Sequence, residues 1–277
     1  MLDLNLNELI EKALKEDVGT GDITTNSTIP PSRRITGRFL AKENGILCGM
    51  DVVKAVFAFV DPSIALTVFI HDGESVSKGD VIAEIEGYAR SILTGERLAL
   101  NLLQHMSGVA TRTHEAVEKV AGTKARIADT RKTTPGLRVL EKYAVKCGGG
   151  SNHRFNLADG VLIKDNHIEA AGGIGEAVRM ARENIPHTLK IEVEVETFEQ
   201  LEEALQAGAD IIMLDNMSCP DMKKAVEIIH GRAVTEASGN MGEKDLKEVA
   251  MTGVDLISIG ALTHSVKALD ISLKFKF

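Results

Sequence analysis

Apolar residues recur at helical spacing at the start of the chain, with Leu6, Leu9, Ile10, Ala13 and Leu14 on one face. Residues 36–42 and 64–70 read as strands, and 49–60 as a buried helix. Segment 71–87 sets glycines at turn positions among alternating apolar residues, which predicts a hairpin. From 89 to 120 the spacing predicts a long helical stretch, interrupted near Gly108. Ile92, Leu93, Leu98, Leu100, Leu102, Leu103 and Met106 supply its apolar surface. Arg97, Asn101, Gln104 and His105 fall at i, i+4, i+7 and i+8 and form one polar stripe. A solvated face and a partly buried site face both fit that stripe.

Beyond residue 120 short apolar runs alternate with helical stretches. The runs lie at 125–128, 161–163, 190–195, 211–214, 233–237 and 256–259, and helices are predicted at 175–184, 198–207, 222–230 and 243–251. This alternation implies parallel strands with helical crossovers. A βα barrel and a doubly wound sheet both fit the period, and the strand ends choose between them. The runs finish at Asp129, at Lys164 and Asp165, at Glu194 and Glu196, at Asp215, at Ser238 and Gly239, and at Gly260. Functional groups converging at C-terminal strand ends mark the barrel, and the first run lacks the glycine-rich turn of a nucleotide-binding sheet. The expected fold is therefore α/β, with an N-terminal α+β sandwich domain over 1–110 and an incomplete parallel α/β barrel of about six strands over 111–265. In the tail, Ile271, Leu273, Phe275 and Phe277 alternate with Ser272, Lys274 and Lys276. Segment 266–277 is expected to return as a strand to the N-terminal sheet.

Composition narrows the function. The chain has 277 residues, 44% hydrophobic and 26% charged, as a folded chain of one large or two modest domains would. A net charge of −8 argues against non-specific nucleic-acid binding. No apolar run approaches the roughly 20 residues that span a bilayer. The opening MLDLNLNELIEKALKED has neither the basic start nor the small-residue cleavage site of a signal peptide. A cytoplasmic protein without membrane or nucleic-acid partners is expected. Cys48, Cys147 and Cys219 match no metal spacing and read as reduced thiols; Cys147 precedes three glycines and so lies near a tight turn.

Within this acidic chain, residues 129–164 carry Arg131, Lys132, Arg138, Lys142, Lys146, His153, Arg154 and Lys164. Scattered surface cations are one reading. Strand-end cations facing a ligand are the other, because a guanidinium fork matches carboxylate or phosphate bidentately. A small polyanion is the substrate this predicts. Glu192, Glu194 and Glu196 share one side of their strand, where carboxylates hold a divalent cation or sugar hydroxyls, and Asp215 ends the next run. The glycines after Ser238 and Ile259 let backbone N–H groups approach a phosphate.

These residues resemble the quinolinate phosphoribosyltransferase family nearly end to end. The resemblance rests on EDVGTGDITT at 16–25, GERLALN at 95–101, DTRKTTPGLR at 129–138, NHRFNL at 152–157, KDNH at 164–167, EVEV at 192–195, LDN at 214–216, EASG at 236–239 and IGALTHS at 259–265. It implies that Arg131, His153, Arg154 and Lys164 bind the two carboxylates of quinolinate, joined by Arg97 from the neighbouring subunit of a homodimer. It implies further that Lys132, Glu194 and Asp215 serve phosphoribosyl pyrophosphate and its Mg²⁺, with Lys132, Lys164, Glu194 and Asp215 as the catalytic set. Ser238, Gly239 and Gly260 would lie by the 5′-phosphate. Asn240 stands where the family also carries glycine, and the 16–25 motif has no chemistry assigned to it. Two other readings stay open. Lys164 suits a Schiff-base lyase, as strand-end barrel lysines do, and the glycine rhythm of 71–87 resembles a biotinyl or lipoyl carrier, although no lysine stands at a hairpin tip.

Overall fold

Leu6, Ile10 and Leu14 line the buried side of the first helix, α1 (Leu6–Val18), in a computed structural model that describes residues 6–276. Phe277 and the side chain of Lys276, both assigned above to the C-terminal strand, lie outside the described set, as do residues 1–5. Next comes α2 (Ile23–Thr28), capped by Asp22, whose carboxylate accepts from the Thr25 N–H at 2.9 Å. The 16–25 motif thus contains a helix N-cap, which satisfies a donor the helix leaves open. There follow β1 (Arg34–Ala41), β2 (Gly45–Ile46), α3 (Met50–Val60), β3 (Ala65–Val68), β4 (Ser75–Val76), β5 (Val81–Tyr88) and α4 (Ala89–Lys119). The remaining elements are β6 (Arg126–Ala128), α5 (Arg138–Cys147), β7 (Val161–Ile163), α6 (Asp165–Ala171), α7 (Ile174–Asn184), β8 (Ile191–Val195), α8 (Phe198–Gln206), β9 (Ile211–Asp215), α9 (Cys219–Ile229), β10 (Val234–Ser238), α10 (Leu246–Met251), β11 (Leu256–Ser258), α11 (Ala261–His264) and β12 (Ile271–Lys276).

Two units divide the chain. The first holds the residues up to His114, then Thr134–Gly149 and the segment from Ser265. Its four-stranded antiparallel sheet has the order β12-β1-β5-β3. Alternation along β12 buries Ile271 and Leu273 on one side of the strand. The predicted hairpin over 71–87 is not formed. β4 pairs with β2, while β5 pairs with β1 and β3. The intervening turn is fixed from outside by Asn44, whose Oδ1 accepts the Lys78 N–H at 2.9 Å, and from within by Asp80, whose Oδ2 accepts the Ser77 N–H at 2.8 Å.

The predicted break near Gly108 is also absent, and α4 runs unbroken through it. Glycine serves close approach there: a Cβ would collide with the Lys267 carbonyl oxygen. The expected boundary at 110 consequently falls inside a continuous helix. Residues 134–149 lie within the stretch assigned above to the barrel, yet they group with the first unit. Their helix α5 buries Leu140, Ala144 and Val145, and its fully buried Glu141 bonds His105 Nε2 at 2.8 Å.

The second unit contains Glu115–Thr133 and Gly150–His264. Its six strands are all parallel, in the order β6-β11-β10-β9-β8-β7. The first strand lies beside the last, as in a closing barrel, and the ladder is open between β6 and β7, where a single bridge joins Ala128 to Ser151. This is the expected incomplete α/β barrel. Strands buried on both faces read as continuous apolar runs, so Ile191, Val193, Val195, Ile212 and Leu214 are fully buried. Crossover helices start at conventional caps. Thr197 and Gln200 form a capping box on α8, Ser218 caps α9, and Asp245 caps α10.

Candidate active site

Asp129 directly follows β6, is fully buried and accepts the His153 N–H at 2.8 Å. This bond draws the 152–154 segment to the end of β6. His153 is then held at both ring nitrogens. Nδ1 accepts the Arg154 N–H at 2.8 Å, and Nε2 lies 3.1 Å from Glu192 Oε2 and 3.7 Å from Glu236 Oε1. An imidazole that accepts at Nδ1 carries its proton on Nε2, so Nε2 donates to Glu192. Glu192 Oε1 is buried and has no hydrogen-bond partner among the described residues. Burial first, and the neighbouring Glu192 charge second, push the Glu236 carboxyl up to about 7.

Arg154 donates from Nη1 to the Gly160 carbonyl at 3.1 Å. Burial, aided by repulsion from Arg131, lowers its guanidinium from the ordinary value. Lys164 directly follows β7 and stands at the N-cap of α6, its N–H donating to His167 Nδ1 at 3.0 Å. Its ammonium pairs with Glu194. Glu194 on β8 is opposite Met213 on β9, and Asp215 lies two residues beyond Met213, so the two carboxylates share a face of adjacent strands. Asp215 Oδ2 accepts from Asn216 Nδ2 at 2.6 Å.

Lys132 is anchored through its backbone, whose carbonyl accepts from Thr263 Oγ1 on α11 at 2.7 Å. Its side chain passes over Gly260, where a Cβ would come within 2.9 Å of the Lys132 Cδ. Glycine at 260 leaves room for that stem. Gly239 and Asn240 have φ of +95° and +50°. This left-handed stretch tolerates glycine or asparagine, and Asn240 fits it.

A cavity of about 330 Å³ brings Arg131, Lys132, His153, Arg154, Lys164 and Ser238 together with Thr130, Leu162, Met213, Glu236 and Ser258. Glu194, Asp215, Gly239 and Gly260 are not among its lining residues. Arg97 belongs to the first unit and is exposed on α4. The rest of its polar stripe divides: Asn101 is exposed, Gln104 Nε2 donates to the Ile271 carbonyl at 2.6 Å, and His105 bonds Glu141. Sequence reasoning grouped Glu192 with Glu194 and Glu196 as carboxylates for a cation or sugar hydroxyls, not as the partner of His153, and it assigned no role to Glu236. Each stands two residues before a proposed site residue, Glu194 and Ser238, and the two-residue period of a strand puts them on the same inward face.

Comparison with known proteins agrees with this architecture. Residues 22–107 match the family described as Quinolinate phosphoribosyl transferase, N-terminal domain, and 109–274 match its C-terminal domain. The chain is 47% identical over 273 residues to a probable nicotinate-nucleotide pyrophosphorylase [carboxylating] of Bacillus subtilis, covering 99% of this chain and 94% of the relative. It is 45% identical to a mitochondrial quinolinate phosphoribosyltransferase [decarboxylating] of Nicotiana glauca, covering 98% of this chain and 82% of that one. The solved nicotinate-nucleotide pyrophosphorylase of Francisella tularensis superposes with a TM-score of 0.94 at 42% identity, covering 98% and 96% of the two chains. With both domain families matched along nearly the whole chain, the protein belongs to the quinolinate phosphoribosyltransferase family.

Proposed function

We infer that the cationic cavity of the second unit is where this chain carries out the reaction of its family. That reaction transfers a phosphoribosyl group from phosphoribosyl pyrophosphate to quinolinate with decarboxylation, in NAD biosynthesis. The pyridine nitrogen bonds to the anomeric carbon as the C–O bond to pyrophosphate breaks. The 2-carboxylate then leaves as CO₂, and the cationic ring nitrogen takes up the electron pair until a proton replaces the lost group. The observation that carries this reading is the convergence of Arg131, Lys132, Arg154 and Lys164 on one cavity in a chain of net charge −8. A dianionic ring matches that surplus of cations. The family match leaves no support for the Schiff-base alternative, and the Lys164 ammonium is already engaged by Glu194.

In this reading Arg131, Arg154 and Lys164 orient the ring through its carboxylates. His153, tied to Asp129 and Glu192, fixes the Arg154 backbone. Lys132 neutralises charge on the leaving pyrophosphate, and Ser238 with Gly239 and Gly260 receives the 5′-phosphate. The chemistry needs positioning and charge stabilisation more than covalent participation. Glu194 and Asp215 are suited to Mg²⁺, since two carboxylates on one face, together with substrate phosphates, form its usual donor set. Such an ion would offset the negative charge of the pyrophosphate.

We propose further that the protein acts in the cytoplasm as a homodimer, with Arg97 completing the site of the partner subunit. Three free cysteines suit a reducing compartment. Among the described residues no helix is long and apolar enough to cross a membrane. The test is a product assay with quinolinate and phosphoribosyl pyrophosphate, with nicotinate as control. Nicotinate mononucleotide, CO₂ and pyrophosphate in equal amounts are expected from quinolinate. No product from quinolinate under conditions where the protein is folded overturns the assignment.

A further inference from the structure

Cys48 and Cys147 are 99 residues apart in the chain (147 − 48), and the first unit brings them together. Their sulfurs and a carboxylate oxygen of Asp72 all lie within 4.8 Å of one another. Cys48 is fully buried just ahead of α3. Cys147 ends α5 and is partly exposed. Asp72 is committed elsewhere: Oδ1 accepts the Met50 N–H at 3.0 Å, and Oδ2 accepts the Tyr143 hydroxyl at 3.1 Å. A carboxylate with both oxygens engaged makes a weak third metal ligand, so the cluster favours chemistry between the two sulfurs. The sulfurs are also unequal. Hydrogen bonds from Cys48 and, less strongly, Tyr143 lower the Cys147 thiol from its ordinary value against the effect of burial, while Cys48 is pushed up.

We propose that Cys48 and Cys147 form an oxidisable pair, a modification site that closes to a disulfide when a peroxide reaches Cys147. The Cys147 thiolate attacks one peroxide oxygen, the O–O bond breaks, and after proton uptake the products are a sulfenic acid and water. The Cys48 sulfur then attacks the sulfenic sulfur. The S–O bond breaks, and hydroxide leaves as water with the proton from Cys48. The two thiols have lost two electrons in all, and the peroxide has been reduced to two waters. The bond would tie the segment just ahead of α3 to the last residue of α5, closing a long loop in the first unit. Cys219 has no sulfur partner in this cluster and serves as the internal control.

The experiment treats the purified full chain with hydrogen peroxide near neutral pH, then counts free thiols and maps peptides without reductant. Free thiols are expected to fall from three to one, with a Cys48–Cys147 linked peptide that dithiothreitol releases. Cys147→Ser, at the partly exposed end of α5, and Cys48→Ser should each abolish the link, and Cys219→Ser should retain it. Melting curves establish that each variant is folded before treatment. Oxidation should raise the melting midpoint of the wild type and leave that of Cys147→Ser unmoved. Oxidation of Cys147 to a sulfinic acid with Cys48 still reduced would overturn the proposal. So would a linkage through Cys219, or one zinc ion per chain whose retention needs both Cys48 and Cys147.

Discussion

His153 Nε2 lies 3.1 Å from Glu192 Oε2, at the centre of a buried group that also includes Glu236 at 3.7 Å. Two carboxylates facing one imidazole cannot both hold full charge cheaply, and Glu236 is the one driven toward protonation. Its folded value is raised from 4.5 to about 7, so its stabilising contribution is complete at acid pH, below the ordinary value. That contribution is lost as pH rises through the folded value. Glu236→Gln stays neutral throughout. The wild type should therefore lose stability relative to Glu236→Gln between pH 5 and 8, by on the order of 3 kcal/mol at most. Melting midpoints of both proteins across that range measure this, and a constant difference contradicts it.

The cavity predicts strong preference for a dicarboxylate. Arg131, Arg154 and Lys164 exceed what one carboxylate requires, and Arg154 is already disfavoured by burial and by Arg131. Leaving such a cation without its anion costs several kcal/mol, enough for discrimination of about 10²-fold or more between quinolinate and nicotinate. Arg154→Ala should reduce that ratio of kcat/KM by at least about 10-fold. Equal use of the two acids by the wild type would count against the proposed site.

Asp215 and Glu194 share a face of adjacent strands, and neither is called on to move a proton, because the attacking pyridine nitrogen carries none. Asp215→Asn should lower kcat/KM for phosphoribosyl pyrophosphate by about 10- to 100-fold through weaker metal and ribose binding. Quinolinate binding, followed by calorimetry, should survive. Loss of quinolinate binding with the cosubstrate unaffected reverses the two assignments.

The barrel was legible because parallel strands buried on both faces leave continuous apolar runs, and its strand ends were legible because polar residues end those runs at Asp129, Lys164, Glu194, Asp215 and Ser238. Other features were not. Helix α5 directly follows the Arg131–Lys132 loop, so it read as part of the barrel, yet Glu141, Leu140 and Ala144 bury it in the first unit. No periodicity announces which unit a helix joins. The strand before Asp80 looked like half a hairpin because alternation records which face a residue takes but not which strand it pairs with. Glu236, and the pairing of Glu192 with His153, were hidden for a related reason. Inward carboxylates are identified as buried only when the strands are known to curl around them, and His153 reaches them from a loop with no pattern of its own.

The last prediction concerns Arg97. It is exposed on α4 in the first unit, while the cavity is lined entirely from the second. If Arg97 serves the site of a partner subunit, a two-fold dimer holds two equivalent composite sites. Arg97→Ala and Lys132→Ala should each be nearly inactive. In a mixed dimer one site carries both lesions and the other carries neither. Random exchange makes about half of all dimers mixed, each with one intact site, so activity should return to roughly a quarter of wild type. Subunit exchange is first established independently, for instance by mass spectrometry of differently labelled chains, and the mixture is then assayed. Activity that stays at the level of the single variants, with exchange complete, means that Arg97 does not act across an interface, because a composite site leaves no other way for intact sites to be absent from a mixed dimer.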